Sequence, residues 1–434
     1  ASLMGRGERK RRREEASSSE DEREGGGSSE EDSEQEEECF FTAVAEGDLP
    51  TLQKLHGEGR VDLELADSEE GDTLLGVACR FGHLEMAQWI HAQGVSLELQ
   101  NNHGDTALHE ASLHGQLRVV EWLLSQLPPS ALSRATHDGM LPISYAALHG
   151  HTLVVEKLAA AGSALTSVNA QGHTLLHLAC SEGQLETARK LHELGMRAAT
   201  TDREGRSPLH IAAGASQLST VQWLVEACAL DVNAADGHGA APLHFAAAAG
   251  DERVAEWLLG KGVDPALANH DGNTPLHYAC QAGLLDLVEA LLARDVPVSP
   301  KNTDGDTPFL LSCLGGHVSV CEALHRRGED VSAINALGCS GLLQACAMGK
   351  LEAAQWLLSR AKHLLDLADA EGLTPLHHAS SQGHLDVVEW LVEQGAQPTA
   401  AMRSAALEEG HSKVAKFLGK ILKGTPRASS SSAQ

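Results

Sequence analysis

Aromatic side chains are scarce in this chain of 434 residues, at 3% of the total, and its nine cysteines include no Cys-x-x-Cys pair. No apolar run approaches the eighteen or so residues that cross a membrane, so we expect no membrane insertion. No cleavable signal peptide is recognisable at the start of the sequence. Cysteines without zinc-type spacing predict reduced thiols rather than disulfides or a metal site. These absences favour a soluble protein of the cytoplasm, the nucleus or both.

Sequence signatures of catalysis are also lacking. The chain contains no phosphate-binding GxxxxGK, no HExxH zinc motif and no GxSxG nucleophile elbow. We therefore expect no catalytic residues, no cofactor and no metal ion, and we do not expect an enzyme.

Acidic charge, by contrast, is abundant. Asp and Glu number 60 against 33 Lys and Arg, which gives a net charge of −27. The first 38 residues carry −7 and the last 24 carry +5, so the remaining body, residues 39–410, carries −25. A strongly acidic body disfavours nucleic acid and anionic membranes as ligands. It favours protein partners with basic segments.

One phrase, DGNTPLHYACQAG at residues 271–283, returns in close variants along the chain at a period near 33. Thr274 is a suitable helix N-cap, and Pro275 fits the first helical position. His277 lies three residues after the cap, where its imidazole can reach back to the cap. Gly283 suits a left-handed helix end. The position of Thr274, called here the cap position, is filled in turn by Thr73, Thr106, Leu141, Thr174, Ser207, Ala241, Thr274, Thr307, Ser340 and Thr374.

A longer amphipathic helix is predicted after each phrase, as in GHLDVVEWL at residues 383–391. Together with SPLHIAA at 207–213, APLHFAA at 241–247 and TPLHHAS at 374–380, these segments resemble the ankyrin-repeat family. The resemblance implies an all-α repeat solenoid, in which helix-turn-helix units are joined by β-hairpin-like finger turns.

We expect about twelve units over residues 38–424, ten of them full. A degenerate N-cap unit should occupy about 38–70 and a shortened C-cap unit about 401–424. The flanking segments, 1–37 and 425–434, are predicted to be disordered, because the first is poor in apolar residues and rich in Ser, Glu and Gly.

Repeat positions account for many residues that otherwise suggest chemistry. Six histidines occupy the capping position and four follow the helix-ending glycine; they are His109, His177, His210, His244, His277 and His377, then His83, His151, His317 and His384. Five cysteines share one position six residues after the cap and are expected to be small core residues. All six tryptophans share the position sixteen residues after the cap. They form either part of the core or a row of rings for a ligand, and we favour the core.

Binding surfaces in the ankyrin family are usually the finger turns and the exposed inner side of the first helices. Here these are the residues four, three and one before the cap position, and seven and eight after it. In units 2 to 4 they combine acidic and apolar residues, which predicts a site for a segment with apolar anchors and basic flanks. The predicted site residues are Glu70, Asp72, Phe81, Asp105, Leu113, His114, Asp138, Met140, Leu148 and His149. A smaller apolar patch comprises Leu314, Leu337, Met348 and Leu373. The alternative is that these apolar residues are ordinary scattered surface residues.

The N-terminal segment carries two short signals. Lys10, Arg11, Arg12 and Arg13 fit a nuclear-import sequence or, equally, a solvated charge cluster. Six serines have an acid three residues later, as acidophilic kinases of the casein kinase 2 type prefer, and phosphorylation would add further negative charge. These candidate phosphosites are Ser17, Ser18, Ser19, Ser28, Ser29 and Ser33.

Taken together, these features predict a monomeric, non-catalytic scaffold or adaptor that binds partner proteins in the ankyrin groove. The alternative is an acidic-tailed nuclear chaperone of the histone type, or a chromatin-associated reader of basic proteins. Salt separates the two, because binding by a polyanionic tail weakens steeply with ionic strength.

Overall fold

In the computed structural model, residues 40–67 and 69–424 are described, and this part of the chain forms 24 α-helices in twelve two-helix units. Unit 1 pairs a helix at 40–46 with Leu49–Gly57. Units 2 to 12 pair Leu74–Phe81 with Leu84–Ala92, Ala107–Leu113 with Leu117–Gln126, Pro142–Leu148 with Thr152–Ala160, Leu175–Ser181 with Leu185–Glu193, Pro208–Gly214 with Leu218–Glu226, Pro242–Ala249 with Glu252–Gly260, Pro275–Ala282 with Leu285–Leu292, Pro308–Gly315 with Val318–Arg326, Gly341–Ala347 with Leu351–Arg360, Pro375–Ser381 with Leu385–Glu393, and Ala400–Glu408 with Ser412–Gly424. Within the described residues there is no β-strand, although three fingers contain a single antiparallel bridge. The predicted all-α solenoid is confirmed.

The first helices begin as the repeated phrase predicts. In the six units with a capping histidine, Nδ1 of the imidazole accepts the backbone N–H of the cap residue at 3.0 to 3.3 Å. In five of them Nε2 also donates to a backbone carbonyl of the following unit or its finger, at 2.9 to 3.2 Å. One side chain thus caps a helix and joins it to its neighbour, which confirms a structural role for these histidines.

The first helices end against the next unit. A Cβ atom at Gly283 would lie 2.4 Å from Nδ1 of His317, the residue that follows the helix-ending glycine one unit later. Nε2 of His317 in turn lies 3.0 Å from the carbonyl oxygen of Gln281. Gly283 also has a φ of +77°, so both its backbone conformation and the packed imidazole require glycine. His83, His151 and His384 make the same contact in their units.

A side-chain oxygen five residues before the cap position closes the finger turns. Oδ1 of Asn269 accepts the backbone N–H groups of Asp271 at 3.1 Å and Asn273 at 2.9 Å. Asp202 and Asp369 do the same in their units. Some acids of the body therefore serve the turns, where such Asx side chains stabilise the chain locally.

The main core is one hydrophobic cluster that extends from Phe40 to Leu418, and a small second cluster joins Met140, Leu148 and Leu178. The five cysteines predicted to lie in it are fully buried and have free thiols: Cys79, Cys180, Cys280, Cys313 and Cys346. Trp223 and Trp356 are buried, and the other four tryptophans are half-buried against the core. Tryptophan in this array is a packing residue.

Candidate partner-binding surface

First helices of neighbouring units pack side by side along the array, and the second helices form the other layer. The exposed side of the first helices and the adjoining fingers make up one surface, called here the first-helix face. The helices and the fingers of this face are in contact with each other. The side chain four residues after the cap position touches the finger residue that comes just before the cap position of the preceding unit. Nε2 of Gln344 donates to Oδ1 of Asp306 at 2.9 Å, and burial next to the Asp105 carboxylate raises the pKa of Tyr145.

The residues four after the cap position form a row along this face, which the sequence analysis missed. The sequence did contain a signal for this row, because its residues occupy the variable position x of the repeated phrase TPLHxA. The row consists of Val77, Glu110, Tyr145, Leu178, Ile211, Phe245, Tyr278, Leu311, Gln344 and His378. Its rings contact the capping histidine of the preceding unit edge-on, with centroids 5.4 Å apart for His210 and Phe245 and 6.0 Å apart for His244 and Tyr278. Seven of the ten are apolar or aromatic, so the middle of the face has an apolar floor.

The predicted apolar anchors differ in exposure. Phe81 is 50% exposed, and Leu113 is half-buried. Met140 and Leu148 are each only 7% exposed and pack with Leu178 of the next unit. The expectation that these two lie open on the surface is therefore wrong, because the neighbouring unit covers them.

The predicted acidic residues also differ. Asp72 and Asp105 are 5% and 7% exposed, so they do not form an open acidic rim as expected. Asp72 is held by the Arg80 guanidinium and by Nδ2 of Asn101 at 2.8 Å. Their position next to the stacked fingers explains their burial. The remaining predicted residues are accessible: Asp138, His114 and His149 are exposed, and Glu70 is half-buried with an oxygen 3.3 Å from Nε2 of His103.

Glu110, in the newly found row, has the most unusual electrostatic environment on this face. It is 3% exposed, and its Oε2 accepts from Nε of Arg80 at 2.8 Å. Burial raises the pKa of Glu110, and the neighbouring Arg80 opposes that shift.

The smaller apolar patch is partly open. Leu337 and Met348 are 65% and 51% exposed, whereas Leu314 and Leu373 are half-buried. All four belong to units 9 to 11 and lie on the first helices or fingers, so they share the first-helix face with the residues of units 2 to 4.

Among the described residues, no group of three or more His, Cys, Asp or Glu side chains is arranged to hold a metal ion. No helix in that part of the chain is both long and apolar enough to cross a membrane. The candidate import sequence at Lys10 to Arg13 and the six candidate phosphosites lie outside the described residues.

Comparison with known proteins agrees with this architecture. The family model described as ankyrin repeats (3 copies) matches residues 40–132, 143–236, 243–335, 310–402 and 342–421. A second, described as ankyrin repeats (many copies), matches residues 215–259. No curated protein matches the chain. Ankyrin repeats generally act as protein–protein interaction modules, and because the matches span nearly all described units, the chain belongs to the ankyrin-repeat family.

Proposed function

We propose that this protein is a non-catalytic scaffold or adaptor whose first-helix face binds a segment of a partner protein. The row of residues four after the cap carries the proposal. Ile211, Phe245 and Tyr278 are half-buried, neighbouring members of the row, which offer apolar contact area to a bound chain. Apolar and aromatic anchors surrounded by polar residues are the usual basis of peptide recognition.

The acidic surplus supports a partner with basic residues. The body carries −25 over residues 39–410, and Asp138 and Glu70 lie accessible on the face. We propose that the protein acts as a monomer in the cytoplasm, the nucleus or both, and that it binds neither nucleic acid nor membranes directly.

Affinity capture with surface variants tests the proposal. Phe81→Ser alters the N-terminal part of the face, and the pair Leu337→Ser with Met348→Ser alters the C-terminal part. Leu153→Ser, on a second helix and 61% exposed, removes a similar apolar side chain from outside the face and serves as the matched control. Leu148→Ser is unsuitable, because this side chain is packed rather than exposed.

We expect at least one face variant to lose captured proteins that Leu153→Ser retains, as quantified by mass spectrometry. If all three variants keep the same proteins as the wild type, the proposed binding face is wrong.

The acidic segment at 14–38, with thirteen acids and one base, favours the chaperone-type function as a second candidate. A variant lacking residues 1–39 distinguishes them. Loss of basic nuclear proteins on this deletion, with steep weakening of binding by salt, supports the second candidate; capture that depends on the face and varies little with salt supports the first.

A further inference from the structure

Between units 2 and 3 the first-helix face contains a charged group that the repeat does not require. It comprises Asp72, Arg80, Asp105 and Glu110 and is called here the Glu110 cluster. Arg80 joins two of the acids, since its guanidinium pairs with Asp72 and its Nε donates to Oε2 of Glu110 at 2.8 Å. Nδ2 of Asn101 donates to Oδ1 of Asp72 at 2.8 Å and more weakly to Oδ2 of Asp105 at 3.4 Å.

The charges of this cluster do not balance. Three carboxyl groups, 3% to 7% exposed, face one guanidinium. Oε1 of Glu110 and Oδ1 of Asp105 are enclosed and have no hydrogen-bond partner. A further base, His114, has its Nε2 3.9 Å from the other Glu110 oxygen, Oε2. Because buried charges are normally paired and hydrogen-bonded, the cluster has the capacity to accept one more positive group.

Glu110 is not needed to build the repeat. The same row holds Val77 in the preceding unit and Tyr145 in the following one, so an apolar or aromatic side chain suits this position. The capping histidines and the finger-closing Asx residues, by contrast, make hydrogen bonds that hold their units together. One oxygen of this carboxylate pairs with Arg80, and the other, Oε1, is buried without a partner, which points to a ligand.

The surroundings favour a cation carried by a protein chain. The cluster lies on the first-helix face, where Phe81, the residue after Arg80, is 50% exposed, and no arrangement suited to a metal ion occurs in the described residues. Arg80 itself shows that a guanidinium group fits between these carboxylates. Its side chain is 22% exposed, so a second cation can approach the cluster from solvent beside it.

On the basis of the proposed function, we propose that the Glu110 cluster binds one lysine or arginine side chain of the partner segment. Oε1 of Glu110 and Oδ1 of Asp105 accept its hydrogen bonds. The aliphatic stem of that residue lies towards Phe81, and the rest of the segment follows the row. This site therefore selects partners with a basic residue at one defined position.

The test uses randomised twelve-residue peptides displayed on phage and selected on the immobilised full chain. We expect the enriched sequences to share a Lys or Arg at one position. Glu110→Gln should weaken the Kd of a synthetic peptide from this set at least tenfold. Replacing its basic residue with Met should cost as much, and the two changes together should add little, because they remove the same contact.

Matched variants make the outcome decisive. Gln344 occupies the same row, so glutamine is compatible with the fold there. Asp138→Asn removes one exposed negative charge elsewhere on the face.

Equal weakening by Asp138→Asn, or an unchanged Lys or Arg preference on Glu110→Gln, overturns the site. Peptides that depend on Phe81 and Tyr278 but share no basic residue overturn only this inference. Peptides indifferent to both aromatic residues, or a selection that yields no binder, overturn the proposed function as well.

Discussion

His177 Nε2 lies 3.0 Å from the backbone carbonyl oxygen of Arg206 in the finger of the next unit, while its Nδ1 accepts the backbone N–H of Thr174 at 3.3 Å. The imidazole therefore works in its neutral form, with the proton on Nε2. Protonation of Nδ1 would remove the acceptor that caps the helix and place two N–H groups against each other. Four of the other five capping histidines make both contacts, so the units that contain them depend on neutral imidazoles.

We predict that the array loses stability as pH falls below about 6.5. Burial lowers the pKa of His177 to about 4, whereas in the unfolded chain it is about 6.5. Between pH 6.5 and pH 4 the unfolded chain therefore binds more protons than the folded chain. The contribution of His177 to the free energy of unfolding is full above pH 6.5 and decreases towards pH 4, by up to about 3 kcal/mol. Urea unfolding at pH 7.5 and 5.0 measures the loss.

His177→Leu is the matched variant for this prediction, because Leu310 fills the same position in unit 9. At pH 7.5 we expect it to cost about 1 to 3 kcal/mol, since the Arg206 carbonyl loses its buried donor. At pH 5.0 the difference from the wild type should shrink. A difference that is constant with pH would contradict the assignment.

Glu110 should contribute a pH dependence of the opposite sign. Burial raises the pKa of its carboxyl group in the folded state, so the folded chain binds more protons than the unfolded one above the ordinary carboxyl range. Stability from this group therefore falls as pH rises through that window. We expect Glu110→Gln to gain stability relative to the wild type as pH rises above the ordinary carboxyl range, as measured by urea unfolding, while Asp138→Asn should not. Parallel curves for Glu110→Gln and the wild type would refute this.

Removal of Arg80 should be costly, because it leaves Asp72 and Glu110 buried without their shared cation. We predict that Arg80→Gln destabilises the array by about 2 to 3 kcal/mol, somewhat below the usual range for a fully buried pair, since Arg80 is partly exposed. Arg253→Gln is the control; that guanidinium also pairs with an aspartate but is 74% exposed. Equal melting temperatures of the two variants would contradict the prediction.

Ser216 replaces the helix-ending glycine of unit 6 and keeps its left-handed backbone, with a φ of 62°. Elsewhere a Cβ at this position meets a long side chain from the next unit, as for Gly183, where it would lie 2.1 Å from Oε1 of Gln217. Against Ser216 the next unit places the shorter Asp251, and an open surface depression of about 310 Å³ lies beside both.

We predict that Ser216→Gly stabilises the array by about 1 kcal/mol, through relief of the left-handed strain. Asp251→His should be more destabilising in the wild-type chain than in the Ser216→Gly variant, because the imidazole collides with the Cβ atom of Ser216. A double-mutant cycle in urea measures this coupling, and an additive cycle would show that the two positions are independent.

Local chemistry explains why the fold was predictable. The turn, the cap at Thr274, the histidine three residues later and Gly283 act on their own backbone, and their repetition at a period near 33 defines the units. The contacts that the sequence did not show link one unit to the next. His317 over Gly283 and the row four after the cap are separated from their partners by about one period, so no local pattern describes them.

The candidate site shows the same division. Phe81 is half exposed, as expected, whereas Met140 and Leu148 are covered by Leu178 and Asp72 by Arg80. The sequence by itself determined the repeat, its helices, its caps and its acidic charge, since these follow from the conformational preferences and composition of short segments. Only the tertiary structure decided which polar and apolar side chains are accessible, because burial depends on what the adjacent unit places against each residue. For that reason the unbalanced Glu110 cluster became visible only when units 2 and 3 were stacked.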